Sequence, residues 1–172
     1  MKDKEIKELL NTIVILVDTR EKANSHIIKS FDKYDISWEK YKLDFGDYSV
    51  KLPKNDKYNI KEDIYFNTKI VIERKNSLNE LGNNISTNRD RFKREFEKAK
   101  DSKLILMIED DTYKNIINKT YKNKLEPNSY LAMLHSLSIS YDFPFIFIDR
   151  DVAFIFIYYV LKYYIRDYLK NI

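Results

Sequence analysis

Cysteine is absent from the 172 residues, glycine and histidine occur twice each, and proline three times. Without cysteine there is no thiolate nucleophile, no CxxC redox pair and no cysteine-rich zinc site, and the chain suits a reducing compartment. The two histidines, His26 and His135, are far apart in sequence, which argues against a serine triad or a histidine-rich metal site. Two glycines, Gly46 and Gly82, can write neither GxGxxG nor GxxxxGKS/T, so the dinucleotide cradle and the P-loop are excluded and no nucleotide cofactor is expected. The tight hairpins of helix-hairpin-helix DNA-binding modules usually use glycine as well, and no pair is available for one. Long apolar runs are missing too. The most apolar stretch, residues 152–161, is closed by Lys162 and falls short of the roughly 20 residues a membrane helix needs. Residues 1–7 are charged rather than signal-like. No membrane segment is expected, and an intracellular place, cytoplasmic or nucleoid-associated, is the economical expectation.

Charge is abundant. There are 31 basic and 27 acidic residues, a net +4 that favours polyanionic partners. There are 14 tyrosines, and where they cluster it is in the last helical segment and not between basic residues, so a stacking platform for single strands has little support. The length is enough for one domain, residues 1–172, with a real core and no disulfide.

Periodicity supplies the elements. Ile13-Val14-Ile15-Leu16-Val17 and Leu104-Ile105-Leu106-Met107-Ile108 are β-branched or aliphatic runs of the kind found in strands buried on both faces. Residues 37–43 and 48–52 read as two strands of a meander, residues 53–63 as a solvated loop, and 70–75 as a further strand. Helices are expected over 22–34, 77–81 (stopped by Gly82), 88–101, 127–141 and 152–169, with a strand at 143–148. Strands alternating with helices imply an α/β fold, a mixed central sheet flanked by helices on both faces.

Two segments carry the chemistry: Phe45-Gly46-Asp47-Tyr48 and Ile70-Val71-Ile72-Glu73-Arg74-Lys75. Side chains alternate along a strand, so Glu73 and Lys75 share a face. Asp47 follows one of the two glycines at the end of a neighbouring strand. That glycine marks a turn with positive φ, a close backbone approach, or an ordinary hairpin. Two carboxylates and an ammonium where strands meet are the minimum set for Mg²⁺- or Mn²⁺-assisted phosphodiester hydrolysis. The carboxylates hold the metal, the metal activates water, and the ammonium steadies developing charge.

With Val17-Asp18-Thr19-Arg20-Glu21, Gly46-Asp47-Tyr48 and Val71-Ile72-Glu73-Arg74-Lys75 in order, the chain resembles the XPF-type (excision-repair) nuclease domain of the restriction-endonuclease-like PD-(D/E)xK superfamily. The likeness covers residues 13–110, with the C-terminal helices at 127–170 beyond it. It implies a restriction-endonuclease-like fold and a metal-dependent DNA endonuclease selective for branched or single-strand/double-strand junctions. It also implies that Asp18, Asp47 and Glu73 surround the metal, that Lys75 orients water or stabilises the pentavalent state, and that Arg20 and Arg74 position phosphate or brace the carboxylates. Asn79 departs from the family pattern, which has aspartate there, and Glu80 is next to it. The alternative function is a catalytically weak DNA-binding or dimerisation module of the same fold. A more distant one is a sequence-specific restriction-type enzyme.

The charged helix at 88–101 reads as a solvated face, except that its place directly after the catalytic strand raises Arg91 to a candidate DNA contact. The last helix shows almost no polar face between Phe154 and Ile165. It is expected to mediate homodimerisation, or else to be buried within the monomer.

Overall fold

The computed structural model describes residues 1–171. Among these, seven strands form one mixed sheet: β1 (Val14–Asp18), β2 (Trp38–Tyr41), β3 (Tyr48–Leu52), β4 (Ile64–Tyr65), β5 (Ile70–Lys75), β6 (Lys103–Glu109) and β7 (Phe145–Ile148). The order is β2-β1-β3-β5-β6-β7, with β4 attached to β3. Seven helices accompany them: α1 (Asp3–Leu10), α2 (Ser25–Lys33), α3 (Leu78–Ile85), α4 (Arg89–Lys98), α5 (Tyr113–Ile117), α6 (Pro127–Ser140) and α7 (Ala153–Lys170). Helices α1, α2 and α7 cover one face of the sheet, where Ile15, Val17, Tyr48, Ile72 and Met107 join Ile157 and Leu161 in a continuous core. Helices α3 to α6 cover the other, over Val71, Leu106, Ile108, Leu81 and Leu134. The expected mixed sheet flanked by helices is what the chain forms.

Several local expectations differ. The meander does not form: β2 pairs in parallel with β1, and β3 lies on the other side of β1, antiparallel to it. The half-buried pattern of β2 suits an edge strand, and α2 supplies the crossover that parallel pairing needs. Gly82 does not stop α3 but lies inside it. A Cβ there would come within 1.7 Å of Asn123 Nδ2 and 3.1 Å of the Tyr130 ring. Glycine at this position admits the 121–125 segment against the helix. Residues 53–63 contain a 3₁₀ turn at Asp56–Tyr58 and an Asn55–Ile60 bridge.

Helix α7 has two faces. Phe154, Ile157, Leu161, Ile165 and Leu169 are buried within the chain, whereas Ile155, Tyr159 and Tyr163 are 40–51% exposed. Tyrosine and isoleucine on the outer face gave the sequence its all-round apolar look. Among the described residues no helix is long and apolar enough to cross a membrane.

Candidate active site

Three strand ends meet at the site because of sheet register. Val17 and Ile72 both sit opposite Tyr48, one on each side of β3. One step further, the Asp18 N–H donates to the Asp47 carbonyl (2.8 Å) and the Asp47 N–H to the Ile72 carbonyl (2.9 Å). Asp18, Asp47 and Glu73 therefore lie in a row across β1, β3 and β5, on the face covered by α3 and α4. Gly46 makes the entry possible: its φ is +73°, and a Cβ would stand 2.8 Å from the Val71 Cβ. Positive φ and close approach are thus both present at the one glycine beside the acids.

A cleft of about 390 Å³ opens over this row, lined by Asp18, Arg20, Asp47, Glu73, Lys75, Glu80 and, from α4, Arg91. Lys75, almost fully buried, donates to Glu73 Oε1 at 2.6 Å, lies 3.7 Å from Glu80 Oε1, and rests over the Phe92 ring. Burial works against its ammonium, but the carboxylates of Glu73 and Asp47 outweigh it and hold the pKa above the ordinary lysine value. Asp47 is pushed the opposite way from a normal carboxylate. Burial, then the neighbouring Glu73 charge, raise its pKa well above the usual range, with Lys75 only partly offsetting them. Three carboxylates share one ammonium here, so the cleft holds an excess of negative charge.

Asp18 is in a different state. Its oxygens accept from Arg20 Nε (2.7 Å), a second guanidinium nitrogen (3.2 Å), the Arg20 N–H (2.8 Å) and the Leu43 N–H (2.7 Å). Burial opposes ionisation, yet the Arg20 guanidinium and the backbone donors keep its pKa below the usual value. A carboxylate this saturated holds Arg20 in place at the cleft, and ligation by Asp18 would require displacing the guanidinium. Arg74, alternating with Glu73 and Lys75, projects to the opposite face. There it bonds Glu21 (3.1 Å), the Ala23 carbonyl (3.0 Å) and Glu109 (2.9 Å), and Glu109 also meets His26 at 2.9 Å. Of the two roles implied for Arg74, phosphate positioning and bracing, its bonds are those of a brace.

Asn79 stands away from the cleft, its Oδ1 accepting the Lys122 N–H at 2.6 Å. Glu80 takes the cleft position, its Oε2 accepting the Asn76 N–H at 2.9 Å. The sequence pattern points to Glu80 only as the neighbour of Asn79 and assigns no site role to Glu21, Asn84, Asn88 or Glu95. The capping pattern Ser77-x-x-Glu80, with the Ser77 side chain accepting the Glu80 N–H, was the available signal for the phase of α3.

The donor chemistry fits a hard divalent cation. Asp47 Oδ1 and Glu73 Oε2 have no hydrogen-bond donor among the described residues, and the Glu73 charge that, after burial, raises the Asp47 pKa is what a cation would neutralise. Among the described residues no three His, Cys, Asp or Glu side chains are grouped closely enough to hold an ion unaided. Two carboxylates with water completing the shell is an ordinary arrangement for Mg²⁺.

Comparison with known proteins bears on the fold and the family. No curated protein matches the chain. The structure of XPF from Aeropyrum pernix superposes with a TM-score of 0.63 at 15% identity, over 89% of this chain and 65% of that one. XPF from the same organism in complex with DNA gives 0.61 at 15% identity, over 90% and 66%. The chain thus spans just under two thirds of the length of these proteins, and shares their fold. Residues 17–160 match the ERCC4 domain, a span that takes in the whole cleft, and the chain belongs to the ERCC4 domain family.

Proposed function

We propose that the chain is a divalent-metal-dependent DNA endonuclease, selective for branched or single-strand/double-strand junction DNA, and acting inside the cell where that substrate is found. The observation that carries this reading is the open, negatively unbalanced cleft in which Asp47 and Glu73 flank a buried Lys75. Asp47 and Glu73 would hold Mg²⁺ or Mn²⁺. When bound, such an ion supplies Lewis acidity to the phosphoryl oxygen and lowers the pKa of a coordinated water. Lys75 is held 2.6 Å from Glu73, where its ammonium can donate to a phosphoryl oxygen as charge accumulates in the pentavalent state. Arg20, oriented by Asp18 and the Leu43 carbonyl, and Arg91 on the rim take flanking phosphates. DNA as the substrate is supported by the DNA complex of the structurally similar XPF, and junction preference by family membership.

The test is cleavage of labelled forks, flaps, four-way junctions and plain duplexes in Mg²⁺, Mn²⁺ and EDTA, with Asp47→Ala and Glu73→Ala beside the parent. Metal-dependent cutting of branched substrates that both variants lose is the expected result. Equal cutting by parent and variants sinks the site assignment. A second reading, a catalytically weak DNA-binding or dimerisation module, is favoured by the saturation of Asp18. It predicts junction binding with no cutting in either metal.

Homodimerisation through α7 belongs to the proposal, supported by the exposed strip of Ile155, Tyr159 and Tyr163. Light scattering of the parent at micromolar concentration should give a dimer, and Tyr159→Glu with Tyr163→Glu a folded monomer. A monomeric parent removes the idea.

A further inference from the structure

Residues 112–125 hold four lysines, Lys114, Lys119, Lys122 and Lys124, and no acid. Removing these four from the chain's 31 basic residues leaves 27, equal to its 27 acids. The whole net charge of the protein therefore resides in 14 residues, and the rest is balanced. All four lysines are exposed. Lys119 pairs with Glu126, while Lys114, Lys122 and Lys124 have no carboxylate partner among the described residues.

This segment is built rather than loose. Tyr121 packs its buried ring on Tyr130 and donates its hydroxyl to the Leu125 carbonyl at 2.9 Å. The Leu125 N–H returns to Asn123 Oδ1 at 3.0 Å, and Tyr130 donates to the Leu78 carbonyl at 2.7 Å. Asn79 takes the Lys122 N–H, and Gly82 leaves the space that Asn123 occupies. The backbone that carries Lys122 and Lys124 is thereby fixed against the first turn of α3, whose Glu80 lines the cleft. Asn79, outside the cleft, has its work here.

A cationic strip on an anchored segment beside a phosphodiester-cutting cleft fits a polyanion that extends past the cleft. We propose that residues 112–125 form a second nucleic-acid contact, in which Lys114, Lys122 and Lys124 take backbone phosphates of the DNA leading away from the cut site. The proposal rests on the nuclease reading above. It adds where the substrate runs and which residues set its salt dependence.

The test uses Lys114→Gln, Lys122→Gln and Lys124→Gln together. A charge-matched control carries Lys7→Gln, Lys29→Gln and Lys33→Gln, exposed residues on the α1 and α2 side of the sheet. Affinity for a fluorescent forked duplex is read in EDTA from 50 to 200 mM salt, and turnover in Mg²⁺ at saturating DNA. Each phosphate contact adds about 0.9 to the slope of log affinity against log salt. The loop variant should lose about two to three from that slope, with a higher half-saturating DNA concentration and unchanged turnover at saturation, while the control keeps the parent slope. Equal slopes in loop and control variants overturn the loop contact and leave the nuclease reading standing. A parent that neither binds nor cuts DNA overturns the nuclease reading itself, and the loop contact with it.

Discussion

Strand β5 separates two charge clusters that use adjacent residues and behave oppositely. On the cleft side, Asp47, Glu73 and Glu80 share one ammonium, and the pKa of Asp47 is driven up by burial and by Glu73. On the other side, the Arg74 guanidinium is held by Glu21, Glu109 and a carbonyl, with His26 on the second oxygen of Glu109. Burial opposes ionisation of Glu109, but Arg74 and His26 more than offset it and lower its pKa. A cluster whose carboxylates are bonded to a buried guanidinium in this way holds a fold together. One short of positive charge is poised to receive a cation, and imposes a cost on the empty protein.

The comparison breaks most visibly at Arg74. Arg74→Met leaves the buried Glu109 with His26 alone and the half-buried Glu21 with no cation, and should cost about 3–5 kcal/mol, read by urea unfolding. A loss under about 1 kcal/mol, no more than a surface pair is worth, would mean that Arg74 is not the brace. Lys75→Met, one residue on, should instead lower turnover on the order of 10²-fold or more. Single-turnover cleavage with DNA affinity measured in parallel separates this from a binding defect.

A smaller effect sharpens the contrast through pH. The folded pKa of Asp47 lies above its unfolded value of 3.8, so the native state binds the extra proton. Its contribution to stability therefore falls as pH rises from about that value through the folded pKa. For Glu109, with a folded pKa below 4.5, the contribution is present above 4.5 and is lost as pH falls through the folded pKa. Difference curves of unfolding free energy between pH 3 and 8 should slope in opposite directions for Asp47→Asn and Glu109→Gln. At neutral pH without metal, Asp47→Asn should be more stable than the parent while cutting nothing. Parallel slopes would mean that the two clusters are not electrostatically distinct.

The smallest expected effect is at Asn79. Because its side chain accepts a backbone N–H of the 121–125 segment, Asn79→Asp can keep that bond and brings no ligand to the cleft. Cleavage should change less than about two-fold, the scale of a few tenths of a kcal/mol. Glu80→Gln, removing a carboxylate from the cleft, should weaken Mn²⁺ binding in a titration followed by electron paramagnetic resonance. A gain in cleavage from Asn79→Asp would return that position to the site.

Local pattern in the sequence determined a good deal. Period-two alternation put Glu73 and Lys75 on one face and Arg74 on the other, continuous apolar runs marked β1 and β6 as central, and a scarce glycine marked the turn into Asp47. These follow from backbone geometry within a few residues and need no partner to be fixed. Tertiary structure decided what depends on contacts distant in sequence. It placed β2 outside β1 instead of beside β3, since edge and neighbour are chosen by which faces remain to be covered. It brought the Leu43 N–H, 25 residues away, onto the Asp18 carboxylate that the neighbouring Arg20 also holds. It set the rotation of α3, where about 100° per residue makes the difference between Asn79 on the lysine segment and Glu80 in the cleft. Spacing along the chain counts residues, but the docking of a helix decides which of them points at the chemistry.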